Sequence, residues 1–147
     1  MNIIEKYFVT YKQALALKEI GFETSPIGGT NGGSVFYFEN GKLHYDGITL
    51  YSPDYHDGQI LAPLKSQVFE WFREKHQLFG DVHTDITTEP KFSYVQYELV
   101  GNPNNLTEKE WVWKCGPHSV LYRSYEQAES ELIDSLIQYI KFEIGLL

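Results

Sequence analysis

Histidine and aspartate recur together at three places in this chain, and they are the side chains best equipped to do chemistry. His44 and Asp46 end one segment, Asp54, His56 and Asp57 occupy the next loop, and Asp81, His83 and Asp85 follow a helical stretch. Neutral imidazoles and carboxylates are ligands for a divalent ion, and three converging segments of this kind would make a small hydrolytic metal site. His44, Asp46, His56, Asp57, His83 and Asp85 are the candidate ligands. Their i, i+2 spacing does not itself bring them together, and Asp is a common turn residue. Solvated loop chemistry is the preferred reading, with the metal-dependent hydrolase as the alternative.

Other catalytic patterns are weaker. Cys115 and His118 stand three apart around Gly116-Pro117. An activated thiolate needs such a base, yet a free structural thiol is the preferred reading of the pair. The run Gly28-Gly29-Thr30-Asn31-Gly32-Gly33-Ser34 leads into a strand pattern, whereas a phosphate loop leads into a helix. No Gly-x-Ser-x-Gly elbow is present. Glu129 and Glu131 fall opposite the apolar stripe of a long helix, where they face solvent.

Most of the aromatic residues are expected in the core, and a few of them form a candidate binding patch. Eleven Tyr, nine Phe and three Trp make up 16% of the chain. Tyr51, Tyr55 and His56 share one loop, and tyrosine gives large contact area at low entropic cost. Trp111 and Trp113 alternate on a strand and so share one face, which is core more often than interface. These five residues form the candidate binding set.

The elements that must position them follow from length and periodicity. A chain of 147 residues fits a single domain, 1–147, and buries roughly 70% of its unfolded surface. The net charge of −8 disfavours a nucleic-acid partner. One cysteine excludes an intrachain disulfide, no basic-then-apolar leader opens the chain, and no apolar run approaches a bilayer span. A cytoplasmic, soluble, acidic protein with no membrane role and no cofactor is expected, with a protein as its partner and a homo-oligomer compatible with that.

Three helices are predicted. Thr10 and Gln13 form a capping box, and Gly21 stops the first helix. The second opens at Pro63, runs through Leu64, Val68, Trp71, Phe72 and Phe79, and stops at Gly80. Ser124 and Gln127 cap the third, whose stripe runs from Tyr125 to Ile144. Strands are expected at 34–39 and 42–46, joined by an Asn40-Gly41 type I′ turn, and at 92–100, 110–114 and 119–123. A short edge strand is expected at 7–9, and a long loop at 80–90. The fold class is α+β: one antiparallel sheet of four to five strands, including the Asn40-Gly41 hairpin, with three helices packed mainly on one face and a long C-terminal helix.

Three ordered segments carry a resemblance. They are Phe8 to Phe22, Leu61-Ala62-Pro63-Leu64 followed by Trp71 to Lys75, and Tyr122 to Glu129 leading into Leu132-Ile133. Together they resemble a group of small uncharacterised proteins encoded in phage, prophage and gut-bacterial genomes. That group has no assigned activity, so the resemblance implies an accessory role of phage type and assigns no residue a function. The expected function is non-enzymatic binding of a protein through aromatic and acidic loops.

Overall fold

Thr10 and Ser124 open helices as their local chemistry requires. The computed structural model describes residues 5–22, 35–37, 40–45, 60–85, 91–102, 105–115 and 121–147. A 3-10 turn at Glu5–Tyr7 precedes α1 (Tyr11–Glu19), β1 (Val35–Tyr37), β2 (Leu43–Tyr45) and β3 (Ile60–Leu61). Then come α2 (Lys65–His76), β4 (Leu78–Asp85), β5 (Lys91–Asn102), β6 (Asn105–Cys115) and α3 (Tyr125–Glu143).

The strands form two antiparallel sheets of three, in the orders β2-β1-β3 and β4-β5-β6. This overturns the expected single sheet of four to five strands with three helices on one face. The reason lies in which edges are used. The hairpin strand β1 takes Ile60–Leu61 on its free side, and β5 is flanked on both sides by its own neighbours. The chain divides into two compact units, Met1–Val68 and Phe69–Leu147, with the division inside α2.

In the first unit, α1 is built by short polar bonds. The Gln13 N–H donates to Thr10 Oγ1 at 3.2 Å, and the Thr10 N–H donates to Gln13 Oε1 at 3.0 Å, completing the capping box. At the other end Gly21 adopts φ +85°, and the N–H groups of Gly21 and Phe22 reach back to the Lys18 and Leu17 carbonyls. That closes a Schellman motif. The helix buries Gln13, Ala14 and Leu17. Phe8 bridges Leu64 in place of the expected edge strand at 7–9, and the Val9 N–H donates to the Pro63 carbonyl at 3.2 Å. The Tyr37 hydroxyl donates to the Val9 carbonyl, and its ring meets Tyr11 edge-on at 5.5 Å. The β1–β2 hairpin forms as expected, but only Gly41 takes a positive φ, of +78°. A type I′ turn needs two such residues. Instead the Asn40 side chain accepts from the Lys42 N–H at 2.9 Å.

In the second unit, α3 lies across β4 and β5. The apolar stripe thus packs on the sheet of its own unit. Ala128, Leu132, Ile133, Leu136, Ile137 and Ile140 are buried, while Tyr125 and Ile144 at the stripe's ends are exposed. Ser124 Oγ accepts from the Gln127 N–H, and Gly145 at φ +79° closes a second Schellman motif. The second helix is shorter than expected. It ends at His76, Gln77 turns the chain with φ +55°, and Phe79 and Gly80 belong to β4. The expected loop at 80–90 is thus strand as far as Asp85. An ideal Cβ at Gly80 would stand 2.7 Å from Leu132 Cδ1, so this glycine lets α3 approach the sheet rather than stopping a helix. β6 begins at Asn105, five residues before the expected start at 110. Of the expected strand at 119–123, Tyr122 makes an isolated bridge to Phe92, and residues 119–120 lie outside the described residues.

Candidate binding surface

Phe92, Tyr94, Gln96 and Glu98 alternate along β5 and meet α3 and its leading segment. The first two build an aromatic corner. Tyr122 exchanges both backbone hydrogen bonds with Phe92, at 3.1 and 2.8 Å, which fixes the segment leading into α3. The Tyr94 and Tyr122 rings stack with centroids 6.0 Å apart, and Phe92 meets Tyr125 edge-on at 6.1 Å. Tyr125 keeps 47% of its surface exposed and Leu121 keeps 44%.

The electrostatics of this corner are acidic. Burial, then Glu129, Asp81 and Glu126, push the Tyr125 hydroxyl above its ordinary value. Burial and the neighbouring Tyr94 and Glu131 push Tyr122 up to about 12. Both phenols hold their protons near neutrality, so they serve as hydrogen-bond donors and contact surface, not as nucleophiles.

Next to this corner, Gln96 and Glu98 form a polar seam beneath α3. The Ser135 hydroxyl donates to Gln96 Oε1 at 3.1 Å, and the Tyr139 hydroxyl donates to Glu98 Oε2 at 3.0 Å. Burial and Glu98 push Tyr139 up to about 12. Gln96 is fully buried, and its Nε2 has no hydrogen-bond partner among the described residues. His76, at the end of α2, lies edge-on to Trp71 with centroids 4.5 Å apart, and its buried Nε2 likewise has no partner among the described residues. Burial and Lys75 hold its imidazole below the usual value.

The residues singled out from sequence are dispersed. Tyr51, Tyr55, His56, Asp46 and Asp57 lie outside the described residues, as do the Gly28–Gly33 run and His118. His44 sits on β2 opposite Phe36, in the first sheet. His83 and Asp85 sit on β4 opposite Ser93 and Lys91, in the second sheet, so they belong to a strand and not to the expected loop. His83 Nε2 lies 3.9 Å from Asp81 Oδ2. Among the described residues, no group of three or more His, Cys, Asp or Glu is placed to hold a metal ion. Trp111 and Trp113 take alternate positions on β6, opposite Leu99 and Tyr97, and Cys115 pairs with Gln96. No helix among the described residues is long and apolar enough to cross a membrane.

The aromatic corner itself was missed. Tyr122 and Tyr125 read as strand and stripe positions, and Phe92 and Tyr94 as ordinary strand alternation. The signal available was aromatic residues flanking the Ser124 cap, at the point where a chain turning into a helix exposes its first turn. No known protein family, curated protein or solved structure matches this chain.

Proposed function

We propose that this chain is a non-enzymatic binding protein whose aromatic corner receives a basic segment of a protein partner. One observation carries the reading: the half-exposed Tyr125 ring, held edge-on by Phe92, lies in the negative field of Glu129, Asp81 and Glu126. A Lys or Arg side chain laid on an exposed tyrosine face gains about 0.5–1 kcal/mol. The surrounding carboxylates add attraction, and the net charge of −8 steers a basic partner toward the protein. Tyr51, Tyr55, His56, Trp111 and Trp113 extend this proposal as further aromatic contacts. An accessory role of phage type in the cytoplasm belongs to the same proposal.

The test is titration with a Lys/Arg-rich peptide, with an Asp/Glu-rich peptide of equal length as control, followed by the ring resonances of Tyr125. The basic peptide shifts them, and the shift weakens in Tyr125→Ala, in the double variant Glu126→Lys/Glu129→Lys, and in high salt. Equal shifts with both peptides, or none at millimolar peptide, overturn the reading.

A further inference from the structure

β4 is the terminal strand of the second sheet, and among the described residues its outer edge pairs with nothing. In its far half Asp81 and His83 are exposed on one face, and on the other Thr84 is exposed and Val82 half-buried. A free edge of this kind is a template for another strand. Edge charges normally discourage such pairing, because like charges then meet. Here the order of the charges reverses that effect for one occupant.

We infer that the β4 edge pairs with the β4 edge of a second copy of this chain, antiparallel, with Val82 on the two-fold axis. Asp81 and His83 are equidistant from Val82, so in this register each Asp81 lies opposite the other copy's His83. An imidazole N–H donates to a carboxylate whichever protonation state it holds. Shifting the axis to Asp81 sets aspartate against aspartate, and shifting it to Gly80 leaves both charges unmatched. The charge pattern therefore selects one register, and the two sheets join into six continuous strands. The attraction is local, and it works against the repulsion of two chains each carrying −8. Salt near 0.15 M screens that repulsion beyond about 8 Å. The inference does not rest on the peptide-binding reading: it uses the strand edge, and the Tyr125 variants leave it intact.

Sedimentation over a range of concentrations at that salt reads the association. The wild-type chain forms a concentration-dependent dimer. His83→Asp weakens it by about tenfold, since aspartates then face each other across the axis at about 0.2–1 kcal/mol for each of two pairs, and Asp81→Lys weakens it by removing the carboxylate that accepts from the imidazole N–H. The swap Asp81→His/His83→Asp restores it. In a Cys115→Ser background, Val82→Cys cross-links to itself on mild oxidation, whereas Thr84→Cys does not. Thermal melts matching the wild type verify that each variant is folded. A chain that stays monomeric to millimolar concentration, a swap as weak as its single changes, or cross-linking at position 84 in preference to 82 overturns the inference.

Discussion

The first sheet is made of strands of three, three and two residues, and the second of strands of eight, twelve and eleven. Their helices differ in the same way. α1 has nine residues and buries one glutamine and two apolar side chains; α3 has nineteen and buries six apolar ones. Among its described residues the first unit sets directed bonds into its buried apolar side chains: the Thr10–Gln13 box, the Val9–Pro63 link and the Tyr37 hydroxyl on the Val9 carbonyl. The second is fixed by area, with a long apolar layer under α3 and two polar contacts set into it. Burial is non-directional and scales with area, whereas a hydrogen bond contributes modestly and fixes geometry. Among the described residues, the short elements thus gain definition from polar contacts, and the long ones gain stability from packing.

The sharpest way to break this contrast is Ile137→Ala. Ile137 is 1% exposed, and its loss costs about 2–5 kcal/mol through lost transfer energy and the cavity left behind. Urea unfolding reads the loss. Hydrogen exchange locates it: the amides of β4 and β5 lose protection, and those of α1 keep theirs. Loss of protection in α1 to the same extent would show one cooperative structure in place of two with separate supports.

Gly80→Ala tests how closely α3 sits. The added methyl meets the Leu132 side chain at 2.7–3.0 Å, an overpacking that costs about 1–3 kcal/mol. In Leu132→Ala the space is open, so the second substitution there costs little. A double-mutant cycle with no coupling would place the strain elsewhere.

These positions also show how far the sequence could be read. The Thr10 cap was legible because a capping box is local, complete within four residues; at Ser124 the expected box forms only by half, since Gln127 Oε1 accepts from the Arg123 N–H and not from Ser124. The α3 stripe was legible because its period needs only its own residues. The Asn40-Gly41 hairpin was legible as a reversal, yet its turn differs because the Asn40 side chain offers the backbone another bond. β4 was missed for a physical reason: Gly80 after an apolar helix looks like a helix stop, while its real constraint, Leu132, lies fifty-two positions away. The division into two sheets was hidden for the same reason, since strand partners are chosen by long-range fit. The aromatic corner joins β5 to the start of α3, and neither segment alone discloses it.

Tyr37→Phe probes the directed side of the comparison. It removes the hydroxyl that donates to the Val9 carbonyl and keeps the ring against Tyr11. The expected cost is about 1–1.5 kcal/mol, the net value of one hydrogen bond. Thermal unfolding measures it, and exchange at α1 rises while that at β5 holds. An unchanged melt would mean that ring packing, and not the bond, orients β1.

The last test separates the two units by pH and is silent at neutrality. Burial and Lys75 lower the His76 pKa, so below the ordinary imidazole value of about 6.5 the unfolded chain binds more protons than the folded one. The contribution of His76 is therefore complete above that value. It is lost as pH falls through it toward the depressed folded value. His76→Phe keeps a ring beside Trp71 and removes the titration. Between pH 7.5 and 5.5 the urea midpoint of the wild-type chain falls further than that of the variant, since the carboxylates common to both cancel in the difference. Exchange places the acid-sensitive amides in the second unit. Tyr37 in the first unit has the opposite sign: burial and Glu5 raise its pKa, so its contribution holds below the ordinary phenol value and is lost only as pH rises past it. Equal falls in the wild type and the variant would show that His76 takes up its proton as readily folded as unfolded, and burial of its Nε2 would then carry no acid cost.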